Sequence, residues 1–160
     1  MSRPDDGGQW PDLAGRIVKD EIGRRHVLPV RVYFEDTDFS GLVYHGSYVR
    51  WCERGRSDFL RLVGSDHRAL MEGVGAREPA AFVVRRMSLE YLKPARMDEV
   101  LEVVTRVKET TAATLLLDQR IVRDRVELFT AEVMVVLVSQ SGKPQRLSAT
   151  LREALVQERD

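Results

Sequence analysis

Apolar and polar residues alternate from His26 to Glu35, with Val30, Val32 and Phe34 on one side and Arg31 and Tyr33 on the other. A period of two predicts a strand. The period then lengthens. From Gly46 to Val63, Tyr48, Trp51, Cys52, Phe59, Leu62 and Val63 recur at steps of three and four, and charges fill most of the gaps. That spacing predicts an amphipathic helix of about five turns. Ser47 is a candidate start cap, and Gly64 closes the helix. Gly55 lies inside it, where glycine costs about 1 kcal/mol relative to alanine, and predicts close backbone packing at that point. Ser65 to Gly73 reads as a second, short helix.

Strand patterns fill the rest. Val83, Met87, Leu89 and Tyr91 share one face of a strand that Lys93-Pro94 ends. Leu101, Val103 and Val107 mark the next, and Ala113, Leu115, Leu117 and Ile121 a third, turning at Arg123-Asp124-Arg125. Leu128 to Val138 is apolar on nearly both faces, which predicts a central strand covered on both sides. Ser141-Gly142-Lys143-Pro144 is a turn. Leu147, Leu151 and Leu155 at four-residue steps predict a short helix in the tail, 148–160. The order is strand, long helix, four strands. It predicts an α+β fold, an antiparallel sheet of about five strands wrapped around one long helix. Two open sheet edges predict a dimer. The domain is expected over residues 26–147. Residues 1–25 read as a loosely ordered extension, with a short helix near Leu13–Asp20.

The 160 residues suffice for one domain with a real core. With 25 basic and 25 acidic side chains, no net field draws in nucleic acid or an anionic membrane. No stretch approaches the ~20 apolar residues of a membrane span. One cysteine excludes an intramolecular disulfide and fits a reducing cytoplasm.

The chemistry concentrates between Tyr33 and Val49. Glu35, Asp36 and Asp38 place three carboxylates within four residues, which is costly unless a site uses them. A short loop with Gly41 follows, then Tyr44-His45 at the mouth of the long helix. A helix mouth offers free backbone N–H groups and a positive dipole end, which suit a developing oxyanion. An acid beside such a mouth suits hydrolysis of an acyl group. On spacing alone, Asp36 and Asp38 read equally well as turn and capping residues.

The stretch Arg31–Arg61 carries Glu-Asp-Thr-Asp, then Gly-x-Val-Tyr-His, then Glu53-Arg54-Gly55-Arg56. It resembles the hot-dog-fold acyl-CoA thioesterases, closest to the YbgC type associated with the Tol-Pal system, within the 4-hydroxybenzoyl-CoA thioesterase group. A second block, Ala81 to Met87 through Glu90-Tyr91 and Pro94-Ala95-Arg96, supports the resemblance, which spans about His26 to Leu147. The resemblance implies a hot-dog fold, a homodimer or tetramer with interfacial sites, an acyl-CoA substrate, and neither metal nor cofactor. It makes Asp38 the catalytic carboxylate, as nucleophile or general base. It sets Tyr44 and His45 at the oxyanion site, with Phe39, Gly41 and Val43 beside the substrate. Phe39 and Ser40 stand where many members carry two small residues, so the acyl pocket is expected to be reshaped. The carrier, coenzyme A or acyl carrier protein, is left open.

Glu53, eight residues past His45, is the rival base, since some hot-dog thioesterases use a helix carboxylate; an ion pair with a nearby arginine is its structural reading. Arg85 interrupts an apolar strand face, and Arg85, Arg86, Lys93 and Arg96 are candidates for the phosphates of coenzyme A. Cys52, with no histidine at a recognisable local spacing, reads as a packed thiol. His26, His45 and His67 show no metal-ligand spacing. No Gly-x-Ser-x-Gly elbow is present. Two further functions stay open: a hot-dog dehydratase or hydratase on acyl thioesters, and a non-catalytic scaffold for envelope or lipid-synthesis machinery.

Overall fold

The computed structural model describes residues 13–64 and 78–156. Within them run β1 (Arg16–Asp20), β2 (Gly23–Arg31), α1 (His45–Leu62), β3 (Ala80–Tyr91), β4 (Val100–Thr110), β5 (Thr114–Arg123), β6 (Val126–Ser139) and α2 (Ala149–Val156). The strands form one sheet in the order β1-β2-β4-β5-β6-β3, with every neighbouring pair antiparallel.

The apolar stripe of α1 lies on this sheet and buries Tyr48, Trp51, Cys52, Phe59 and Leu60. Each large side chain buried this way contributes about 2 kcal/mol. Gly55 faces β4 and β5: a Cβ there would sit 2.7 Å from Val103 Cγ1 and 3.4 Å from Gln119 Nε2. The close approach expected at that glycine is therefore present. Gln119 Nε2 donates to the Cys52 carbonyl at 2.8 Å and to Thr105 Oγ1 at 2.9 Å, which satisfies a buried amide beneath the helix. At the tip between β5 and β6, Asp124 (φ 49°) and Arg125 (φ 66°) are both left-handed, as a two-residue hairpin turn requires.

Five expectations change. The sheet has six strands where about five were expected. The additional strand is β1, where a short helix was expected near Leu13–Asp20. It pairs with β2 across a tight turn, so residues 16–25 belong to the sheet and not to a loose extension. The first expected strand stops at Arg31, because Phe34–Asp36 form a 3-10 turn. β6 lies inside the sheet as expected, between β5 and β3. The cover expected on both of its faces is a fifth change: among the described residues α1 covers one face, and on the other Thr130, Glu132 and Met134 are half-buried. The short helix expected over Ser65–Gly73 lies outside the described residues. The tail does carry a helix, α2, which buries Leu155.

Candidate active site

The chain between β2 and α1 folds through its own polar groups. Asp36 Oδ2 accepts the Tyr33 N–H at 2.8 Å and closes the 3-10 turn. Asp36 is thereby a turn residue. Thr37 and Val43 pair across the loop, the Asp38 N–H donates to the Leu42 carbonyl at 2.9 Å, and the Gly41 N–H to the Asp38 carbonyl at 3.0 Å. The tip is thus Asp38-Phe39-Ser40-Gly41. Gly41 takes φ 82°, a left-handed conformation that glycine adopts without steric cost.

Asp38 is exposed at this tip. Its Oδ1 accepts the Ser40 hydroxyl and the Ser40 N–H, the latter at 2.8 Å. The Ser40 bonds, with a smaller contribution from His45, hold the carboxyl below its usual value. It is ionised at neutral pH. Its Oδ2 has no hydrogen bond to the described residues. One oxygen is held and the other is open.

Tyr44 precedes the first turn of α1, and its N–H donates to the Asp36 carbonyl at 2.8 Å. That amide is spent. The Ser47 N–H goes to the Tyr44 carbonyl at 2.9 Å, and the Ser47 hydroxyl to the Asp36 carbonyl at 3.1 Å. Ser47 is therefore not the start cap expected from its position; it ties the first turn to the loop. The open donors at the mouth are the N–H groups of His45 and Gly46, which meet no acceptor among the described residues. The sequence suggested Tyr44 and His45; the Asp36 carbonyl claims the Tyr44 amide, and the His45 N–H stays open. The Tyr44 and His45 rings lie 4.4 Å apart, and both side chains are exposed.

Beside this mouth is an open depression of about 320 Å³, lined by Leu42, Val43, His45, Tyr91, Lys93 and Pro94 among others. Its far wall, residues 92–99, is pinned from three sides. The Val43 N–H donates to the Ala95 carbonyl at 3.0 Å, and the Ala95 N–H to the Tyr48 hydroxyl at 3.0 Å. Arg123 grips both oxygens of Glu99, at 2.8 and 3.0 Å, and the Pro94 carbonyl at 3.2 Å. Tyr48 and Tyr91 were not among the site residues expected from the sequence. Tyr91 ends a strand nearly fifty residues away, and only the sheet order brings it to α1.

The remaining candidates separate. Val43 is buried and forms part of the floor. Phe39 is fully exposed at the loop tip. Glu53 is exposed and accepts the Ser57 hydroxyl at 2.8 Å. It sits ~12 Å along the helix from His45, and the Arg56 guanidinium, one turn on, interacts with it electrostatically. Arg85 is the unpaired residue of a bulge in β3, and Arg86 follows it; both are exposed. They lie ~16–20 Å along the strand from Tyr91, so within one chain they do not meet the depression. Lys93 lines it, and Arg96 pairs with Leu42. Cys52 is fully buried, and burial pushes its thiol up to about 12, which fits a packing role.

Comparison with known proteins supplies the family and the fold. The model of the thioesterase-like superfamily matches residues 32–155. An acyl-CoA thioester hydrolase YbgC of Escherichia coli is 44% identical over 125 residues, covering 77% of this chain and 90% of that protein. The acyl-CoA thioesterase YbgC of Haemophilus influenzae is 40% identical over 111 residues, covering 69% of this chain and 79% of that protein. Among solved structures, a probable thioesterase from Bartonella henselae superposes with a TM-score of 0.74 at 41% identity, covering 78% of this chain and 99% of that one.

Proposed function

This chain belongs to the thioesterase-like superfamily as an acyl-CoA thioester hydrolase of the YbgC type, and we propose that Asp38 and the amides at the mouth of α1 carry its chemistry. The observation that carries the reading is one continuous loop-helix junction. It presents an ionised carboxylate with a free Oδ2 and, seven residues on, two unpaired backbone donors.

The thioester carbonyl oxygen accepts from the His45 and Gly46 N–H groups. As the carbonyl carbon is attacked, negative charge gathers on that oxygen, and each fixed donor is worth about 2.7–4 kcal/mol of transition-state stabilisation. Asp38 Oδ2 either attacks the carbonyl carbon and expels the thiolate, giving a mixed anhydride that water then opens, or takes a proton from the attacking water. Both routes need the charge that Ser40 preserves. The acyl group takes the apolar depression, bounded by Val43, Tyr91 and Pro94. Of the four basic residues expected at the phosphates of coenzyme A, Lys93 and Arg96 are the two that lie beside the depression within one chain, and they serve the phosphates. A second copy joins along the outer edge of β3, where Val83 and Val84 are 41% and 44% exposed. An arginine of that copy is then a further candidate for the phosphates. The lone buried cysteine supports a cytoplasmic location. Among the described residues no helix is long and apolar enough to cross a membrane.

The test is a panel of aliphatic and aromatic acyl-CoAs, with acyl carrier protein thioesters beside them, followed by thiol release. Hydrolysis of at least one acyl-CoA, by a species at least twice the 18.3 kDa chain mass in light scattering, is expected. No thiol release from any member, or a purely monomeric active species, would overturn the corresponding part of the reading.

A further inference from the structure

We propose that Tyr91 is a positioning residue for the oxyanion donors, acting through the carbonyl of His45; this rests on the reading of the α1 mouth given above. The Tyr91 hydroxyl donates to the His45 carbonyl oxygen at 2.8 Å. That oxygen and the Gly46 N–H are the two ends of a single planar peptide unit. A bond at the oxygen fixes the tilt of the plane, and so the direction in which the Gly46 N–H points. It also draws electron density toward the oxygen, which makes the N–H a stronger donor. The chain Tyr91 O–H, His45 carbonyl, Gly46 N–H ends where the thioester oxygen would sit.

The helix does not need this bond for its own sake. A first-turn carbonyl already accepts the amide four residues on, and its second lone pair is ordinarily left to water. Here a side chain from the end of β3 occupies it. The phenol is aimed by packing. Its ring meets Phe129 at 5.1 Å, Tyr48 at 5.5 Å and the His45 ring edge-on at 6.4 Å. Partial burial raises the phenol above its usual value, so it remains a proton donor throughout the working range. Tyr91 stays 46% exposed on the wall of the depression, where a purely packing role would be served equally well by phenylalanine.

Tyr91→Phe tests this, because it keeps the ring and removes only the hydroxyl. With an acyl-CoA that the wild type hydrolyses, kcat is expected to fall about tenfold, the loss of one hydrogen bond. KM and inhibition by free coenzyme A are expected within twofold of wild type, and Tm within about 2 °C. Tyr91→Leu removes ring and hydroxyl together and is expected to lose kcat and Tm both. An unchanged kcat in Tyr91→Phe overturns the proposal. So does a loss of kcat accompanied by equal changes in KM and Tm, which marks a structural role. A wild type that hydrolyses no acyl-CoA fails before any variant is compared, and overturns the functional reading along with this one.

Discussion

At the scale of single residues, Asp38 and Ser40 form one unit. Ser40 holds Oδ1 and lowers the carboxyl, leaving Oδ2 open. In the proposed reaction the working form is the anion. Its contribution to kcat/KM is therefore present above the folded pKa, which lies below 3.8, and is lost as pH falls through it. Ser40→Ala removes the largest stabilising contact of the anion and is expected to move the acid limb of kcat/KM to higher pH. Initial rates from pH 3 to pH 7 read this directly, and an acid limb that stays in place would show that Asp38 does not control it. The nearness of Asp38 and His45 was legible in the sequence because they lie in one short segment whose local order is nearly its spatial order. The spent amide of Tyr44 was not legible, since it depends on where the Asp36 carbonyl turns. Nor was Tyr91, which reaches the site only through the sheet.

At the scale of elements, the long periodic segments were readable and the short polar one was not. α1 and β3 to β6 carry enough apolar repeats to declare themselves. β1 has five residues, three of them charged, and only Ile17 packs against the core. Its stability comes from partners that no local pattern displays. One is a polar latch onto α1: Asp58 Oδ2 accepts the Gly15 N–H at 2.7 Å and bonds His26 Nε2 at 2.6 Å, while Arg61 holds Oδ1 at 2.9 Å. His26 is fully buried in β2 beside Phe59, and its Nδ1 has no partner among the described residues. A charged ring would have to bury a second N–H without an acceptor. Burial, opposed by Asp58, lowers the His26 pKa below 6.5. The sign follows. Below pH 6.5 the unfolded chain gains a proton that the folded ring refuses, so stability falls as pH drops, down to the folded pKa. Asp58, also held below its usual value, adds its own loss at lower pH. Wild-type Tm is expected to drop between pH 7.5 and pH 5.5, and His26→Gln to lose most of that drop. An equal drop in both proteins would remove His26 as its cause.

At the scale of the molecule, the sheet and helix form a frame that brings three separate stretches to one corner: the loop 33–44, the mouth of α1 and the wall 92–99. The α+β class and the wrapped helix were evident from element order. The distance between the four basic candidates was not, because Arg85 and Arg86 share a strand with Tyr91 yet lie far along it, while Lys93 and Arg96 follow its end. Glu53 is the sharpest rival to Asp38, since both are exposed carboxylates, one in the loop that leads into α1 and one eight residues past His45 along it. The most direct test of the account is kcat for acyl-CoA hydrolysis in Asp38→Asn beside Glu53→Gln. Asparagine keeps the shape of Asp38 and removes the charge that either route requires. The account predicts a fall of at least ~10²-fold for Asp38→Asn with KM largely kept, and a much smaller change for Glu53→Gln. Near-normal turnover in Asp38→Asn with turnover lost in Glu53→Gln would contradict it.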